Sequence, residues 1–144
     1  MVRVPQITLG WRLLTLAWGA VIFSWLMVED DRVASVVVIG LGGVLLVVAT
    51  NMMQRYGGQI LRQRDYAALL TVMGLFVGGG SAASAAALMF LKTALHSHIY
   101  PDYPVGLMLA MLARIPAWGA AGALLGFSVW LLLLTRYGVS SESL

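Results

Sequence analysis

The chain has 144 residues, 60% of them hydrophobic and 10% charged, with a formal net charge of +3 and no cysteine. A water-facing domain normally carries about 25% charged residues, so this composition excludes an ordinary soluble surface and points to lipid as the solvent. The missing cysteine excludes disulfides, thiolate metal sites and cysteine nucleophiles; the basic residues form no run, which makes anionic lipid headgroups, not nucleic acid, their expected counter-charge.

The first apolar stretch covers about 11–28, with Trp11 and Trp25 near its ends, where indoles favour the membrane interface. Arg3 and Arg12 imitate the basic start of a cleavable leader. The stretch closes on Trp25-Leu26-Met27 followed by acid, a poor small-residue cleavage site, and a retained span is preferred. Glu29-Asp30-Asp31-Arg32 makes a polar turn. The second stretch, 33–53, holds no charge. Its valines suit a strand, but strands rarely exceed about ten residues, so a spanning helix is expected.

Residues 54–66 are the most polar internal segment, with Gly57-Gly58 as a helix stop. The third span is placed at 67–92. Its centre, Gly78-Gly79-Gly80-Ser81, has almost no side-chain volume, and three glycines weaken a helix by about 1 kcal/mol each relative to Ala, so a kink or unwound turn is one expectation there. Pro101 and Pro104 break the chain next. Residues 105–114 read either as a short interfacial helix or as the first turns of a long last helix, and the fourth span follows at 117–135.

These elements predict an all-α integral membrane protein, a single transmembrane domain over 1–144 folded as a four-transmembrane-helix bundle. Four spans of about 20 residues leave only loops and tails, which puts any function inside the bundle or at its rims. One side of the membrane would hold Arg3, Arg12, Arg55, Arg62, Arg64 and Arg136, the other Arg32, Lys92 and Arg114. Six against three places both termini in the cytoplasm.

Two groups of residues invite a functional reading. Small residues let helices approach closely in lipid, where no hydrophobic drive brings them together. Gly79, Ala83 and Ala87 fall at i, i+4 and i+8 of the third span, and Gly122 and Gly126 form a GxxxG pair in the fourth, with Gly40, Gly42 and Gly43 in the second. They predict helix packing, within the chain or against another subunit. The second group is Lys92, His96, His98 and Asp102. His96, His98 and Asp102 are the candidate ligands of a metal, and either histidine is a candidate axial ligand for haem or chlorophyll. The plain alternative is an interfacial helix end whose Lys and His satisfy the last carbonyls. The acidic turn is expected to be a solvated loop, and Arg114 to pair with Asp102 or a lipid phosphate at a helix start.

No catalytic constellation is visible. Ser81 and Ser84 have no base near them in sequence, and every acid falls in a predicted loop or tail. The expected function is that of a small accessory or structural subunit, not an enzyme, packing against other membrane subunits or further copies of itself. The alternatives are a tetrapyrrole- or metal-binding module using His96 or His98, and a small-solute transporter lined by Asn51, Ser81 and Ser84.

Overall fold

The computed structural model describes residues 2–96 and 101–138, with side chains through residue 135. It is helical throughout except for one small ribbon. In chain order the elements are β1 (Val2–Arg3), α1 (Leu9–Leu26), α2 (Val33–Tyr56), β2 (Ile60–Leu61), α3 (Gln63–Leu95), α4 (Val105–Ala113) and α5 (Ile115–Gly138). Four helices are long and apolar enough to cross a membrane: Leu9–Leu26, Val33–Tyr56, Gln63–Leu95 and Ile115–Thr135. Their outward faces carry bare large side chains such as Leu16, Phe90, Leu124 and Leu132. Such a surface is stable against acyl chains and not against water.

Local chemistry sets the helix ends. Thr8 caps α1, its Oγ1 accepting from the Trp11 N–H at 3.2 Å. α2 stops at Gly57-Gly58, and Gly58 has φ +82°, a left-handed conformation that glycine adopts without strain. The turn carries the N-terminus with it. Val2 pairs with Leu61 and Arg3 with Ile60 in an antiparallel ribbon, and the Gly58 N–H donates to the Val4 carbonyl at 3.0 Å. Val4 is thereby buried with Met52 and Tyr66. The N-terminal lead and the α2–α3 turn thus lie at one end of the bundle. The opposite end is built from the α1–α2 turn and the segment before α4.

α3 is the axis. Its 33 residues make a rod of roughly 50 Å, longer than a bilayer's hydrocarbon core of about 30 Å. It runs without interruption through Gly78-Gly79-Gly80, so the expected unwound turn does not form. The reason is packing. Gly78, with Gly74, lies against α5 at a distance only bare backbone allows, Gly79 borders the same contact and Gly80 faces α2. A Cβ on Gly74 would stand 2.1 Å from the Gly122 carbonyl oxygen, one on Gly78 2.0 Å from that of Trp118, and one on Gly126 2.1 Å from that of Leu70. The van der Waals attraction of two backbones so close offsets the poor helix propensity.

α2 lies on another side of α3, where Gly40 meets the Ala85 backbone and Gly80 meets Val44. α1 is fastened to α2 by indoles. Trp18 covers Gly42 and donates from Nε1 to the Ile39 carbonyl at 3.3 Å, and Trp11 donates to Thr50 Oγ1 at 2.8 Å. α4 is a separate short helix packed into the core: Met108 and Met111 are buried with Ala85, Ala86 and Met89 of α3 and Val36 and Ile39 of α2. Only Arg114 separates it from α5. Pro116 explains the break, because it lacks an N–H and its ring clashes with the carbonyl one turn back.

The α3–α5 contact makes a sharp prediction. Gly122→Ala forces a methyl group onto the Gly74 carbonyl and is expected to destabilise the detergent-solubilised protein by roughly 1–3 kcal/mol, the cost of overpacking. Gly19→Ala, where a Cβ meets nothing within 4 Å, is expected to leave the melting temperature unchanged or raised. Thermal unfolding followed by tryptophan fluorescence compares the two, and equal effects would refute the contact.

Candidate functional site

The polar rim is assembled from three segments distant in sequence. Lys92, in the last turn of α3, is 1% exposed. An ammonium group so placed needs partners. Its Nζ donates to the Asp30 backbone carbonyl and lies 4.2 Å from the centre of the Trp25 ring, a cation–π contact. The Tyr103 hydroxyl, from the segment before α4, donates to the same carbonyl at 3.1 Å. One peptide oxygen in the α1–α2 turn therefore receives both a buried lysine and a buried tyrosine.

The Asp30 side chain holds the turn itself. Its Oδ1 accepts from the Arg32 backbone N–H and from Arg32 Nε, each at 3.1 Å, and its Oδ2 accepts from Trp25 Nε1 at 3.3 Å. The carboxyl is held well below the usual carboxylate range, chiefly by the Ser35 hydroxyl, then by the Arg32 backbone and side chain, with Trp25 adding to them and burial opposing. The turn expected to be a solvated loop is exposed at Glu29, Asp31 and Arg32, and Asp30 organises it. Tyr103 moves the other way, its phenol pushed up to about 12 by burial first and then by the charges of Asp30, Asp31 and Asp102.

His96 ends α3. Its Nδ1 lies 3.0 Å from the Lys92 carbonyl and 3.2 Å from Asp102 Oδ2. The Tyr103 N–H donates to Thr93 Oγ1 at 3.2 Å, a second tie between the same two segments. Glu29, Asp30, Asp31, Lys92, His96 and Asp102 line a polar cavity of about 370 Å³. Of the candidate ligands, His96 and Asp102 are brought together, while His98 lies outside the described residues. Among the described residues no group of three or more His, Cys, Asp or Glu is arranged to hold a metal ion. His96 Nδ1 is engaged within the chain, which bears on any axial-ligand role for that atom.

The packing residues fall in several places. Gly122 and Gly126 sit in the α3–α5 contact, opposite Gly74 and Gly78. Gly79 lies beside them, 3.8 Å from the Gly119 Cα and 3.5 Å from Ile115 as measured from its Cβ position. Ala83 is half-buried and Ala87 exposed, and the buried alanines of α3 are Ala82, Ala85 and Ala86. Sequence reasoning missed Gly74. The spacing of Gly74 and Gly78 is itself GxxxG, a signal hidden by the longer glycine run after it.

A second feature lies on the flank. Between α2, α3 and α5 runs an apolar groove of about 540 Å³, walled by Val37 and Leu41 and by Trp118 and Leu125, with glycine backbone at Gly78 and Gly122. Ser81 lines it but turns its hydroxyl to the Gly78 carbonyl at 2.7 Å. Asn51 is exposed and donates to the Val47 carbonyl at 2.9 Å, and Ser84 sits beside Gly40. Ser81 and Asn51 line different cavities. No protein-family model, no curated protein and no solved structure matches the chain.

The rim predicts a pH response. The fold raises the Tyr103 value from 10.0 to about 12, so the folded state keeps that proton longer than the unfolded chain does. Its contribution to stability is full below pH 10 and is lost as pH rises through about 12. Melting temperature is expected to fall across that window, and Tyr103→Phe to remove this part of the fall. An identical alkaline profile in the variant would refute the assignment.

Proposed function

We propose that this multi-helix membrane protein is an accessory subunit that packs against a neighbouring membrane protein, with no catalytic activity of its own. The observation that carries this reading is the flank groove, an apolar cleft at helix depth floored by glycine backbone. In lipid, association of helices relies on close van der Waals contact, and a cleft of this kind supplies the surface for it. The buried polar groups of the rim support the same reading, because Lys92 and Tyr103 spend their hydrogen bonds on the chain's own turn.

The test uses the intact chain from its native membrane in mild detergent. The expected result is a stoichiometric complex heavier than the 15.5 kDa protomer. Ala121 is exposed and lines the groove, so Ala121→Trp is expected to fill the cleft and release the free chain without lowering its melting temperature. Recovery of monomer alone from the wild type would overturn the proposal.

An orientation goes with this role. The β1–β2 pairing holds the N-terminus beside the α2–α3 turn, which gathers Arg3, Arg55, Arg62 and Arg64 at one end and makes that end cytoplasmic by the positive-inside rule. Since the chain has no cysteine, a single introduced one reports alone. In intact cells an impermeant maleimide is expected to label Asp31→Cys and to spare Gln59→Cys. The reverse pattern would invert the topology.

A further inference from the structure

Arg114 occupies the break between α4 and α5, and its depth follows from its neighbours. Ile115, next in the chain, packs on Gly79, its Cγ2 3.5 Å from that residue's Cβ position. Gly80, beside it, faces Val44 across the α2–α3 contact. Gly79 lies thirteen residues from Tyr66 and thirteen from Lys92, the two ends of the uncharged part of α3. Val44 lies eleven residues from Val33 and eleven from Arg55, roughly 16 Å along the axis either way. Half of a bilayer's hydrocarbon thickness is about 15 Å. The uncharged runs of α2 and α3 thus place Arg114 near the middle of the belt, in which case α4 and α5 together, and not α5 alone, make the last crossing.

The residue is exposed on the flank, among exposed Leu109 and Leu112 of α4. Its guanidinium makes one weak contact, Nη1 to Met111 Sδ at 3.4 Å, and among the described residues no acid forms an ion pair with it. Asp102, its candidate partner in the sequence, faces His96 instead. A charge at this depth normally has a counter-charge. The chain cannot supply one from a second copy. Its six acids, Glu29, Asp30, Asp31, Asp65, Asp102 and Glu142, all lie outside the uncharged helical runs.

We infer that Arg114 and the adjoining α2–α3–α5 groove dock a transmembrane helix of a different protein, one that carries an Asp or Glu near mid-bilayer. The inference rests on the packing role proposed above and specifies its partner. Trp118 lies one turn beyond Arg114, its N–H donating to the Arg114 carbonyl at 2.9 Å, and lines the groove. Residues four apart share a helix face, so Arg114 stands one turn above the groove's Trp118 wall. The groove follows α5 from Trp118 to Val129 and α3 from Leu70 to Ser81, about three helical turns. Pairing with Arg114 lets the partner's carboxyl ionise in a medium that otherwise keeps it neutral.

The probes are synthetic Leu/Ala transmembrane helices with a single Asp at the centre, a single Asp near one end, or no acid. Each is reconstituted with the full-length chain in phosphatidylcholine vesicles, and association is read by resonance energy transfer. The central-Asp helix is expected to bind roughly tenfold tighter than the acid-free one, the scale of a polar contact between helices. That advantage is expected to vanish in Arg114→Leu, to survive in part in Arg114→Lys, and to pass to a central-Lys helix in Arg114→Glu. Ala121→Trp is expected to weaken all the helices alike. Melting temperatures of the variants, with Arg114→Lys as the milder change, separate loss of docking from loss of fold. Equal binding of acidic and acid-free helices, both blocked by Ala121→Trp, would overturn the role of Arg114 and leave the packing role standing. Failure of every helix to bind would count against both. Arg114-dependent enrichment of anionic lipid that displaces the central-Asp helix would overturn the inference in favour of a lipid phosphate.

Discussion

The bundle depends on two helices meeting without side chains between them. Gly74 and Gly78 of α3 face Gly122 and Gly126 of α5, and a methyl group at any of the four positions would fall on a carbonyl of the opposing helix. In water such a contact is one of many ways to exclude solvent. In hydrocarbon, lipid tails are as apolar as leucine, so burial yields little and close approach supplies the attraction. This contact also explains why three consecutive glycines remain helical. Packing on both sides, Gly78 against α5 and Gly80 against Val44 of α2, restrains the backbone freedom they would otherwise add.

Once α5 is fixed on α3, the rest of the chain is placed by two polar devices at opposite ends. At one end the N-terminal ribbon closes over the α2–α3 turn and buries Val4. At the other, the Asp30 carbonyl receives Lys92 from α3 and Tyr103 from the segment before α4, while the Asp30 side chain ties Trp25 and Arg32 within the turn. A loop that serves two buried donors has few free arrangements. The turn has a structural use, since its Asp30 carbonyl and the Trp25 ring receive a lysine with almost no access to solvent.

The flank obeys a different logic. Arg114 has no acid partner among the described residues, whereas Lys92, Tyr103 and Asp30 of the rim hydrogen-bond within the chain. A surface that is complete for folding and incomplete in charge is what a subunit presents to its neighbour, and this contrast is the physical content of the proposed accessory role. The same contrast separates the two basic residues that interrupt the apolar segments of the second half. Lys92 is buried and internally matched, and Arg114 is exposed and unmatched by any described acid.

Much of the architecture was legible in the residues alone. The long uncharged runs and the polar turns pointed to the medium and the four candidate spans, while 105–114 stayed open between a short helix and the start of the last one. Transfer into lipid is a sum over side chains that does not depend on which helix touches which. Only the tertiary structure decided what depends on pairing across the fold: that Gly74 faces Gly122, that Lys92 reaches a carbonyl 62 residues away, that Asp102 turns to His96, and that Arg114 finds no acid among the described residues. Composition fixes the solvent of each segment, but a helix displays every one of its faces in sequence, and only the packed neighbour selects one.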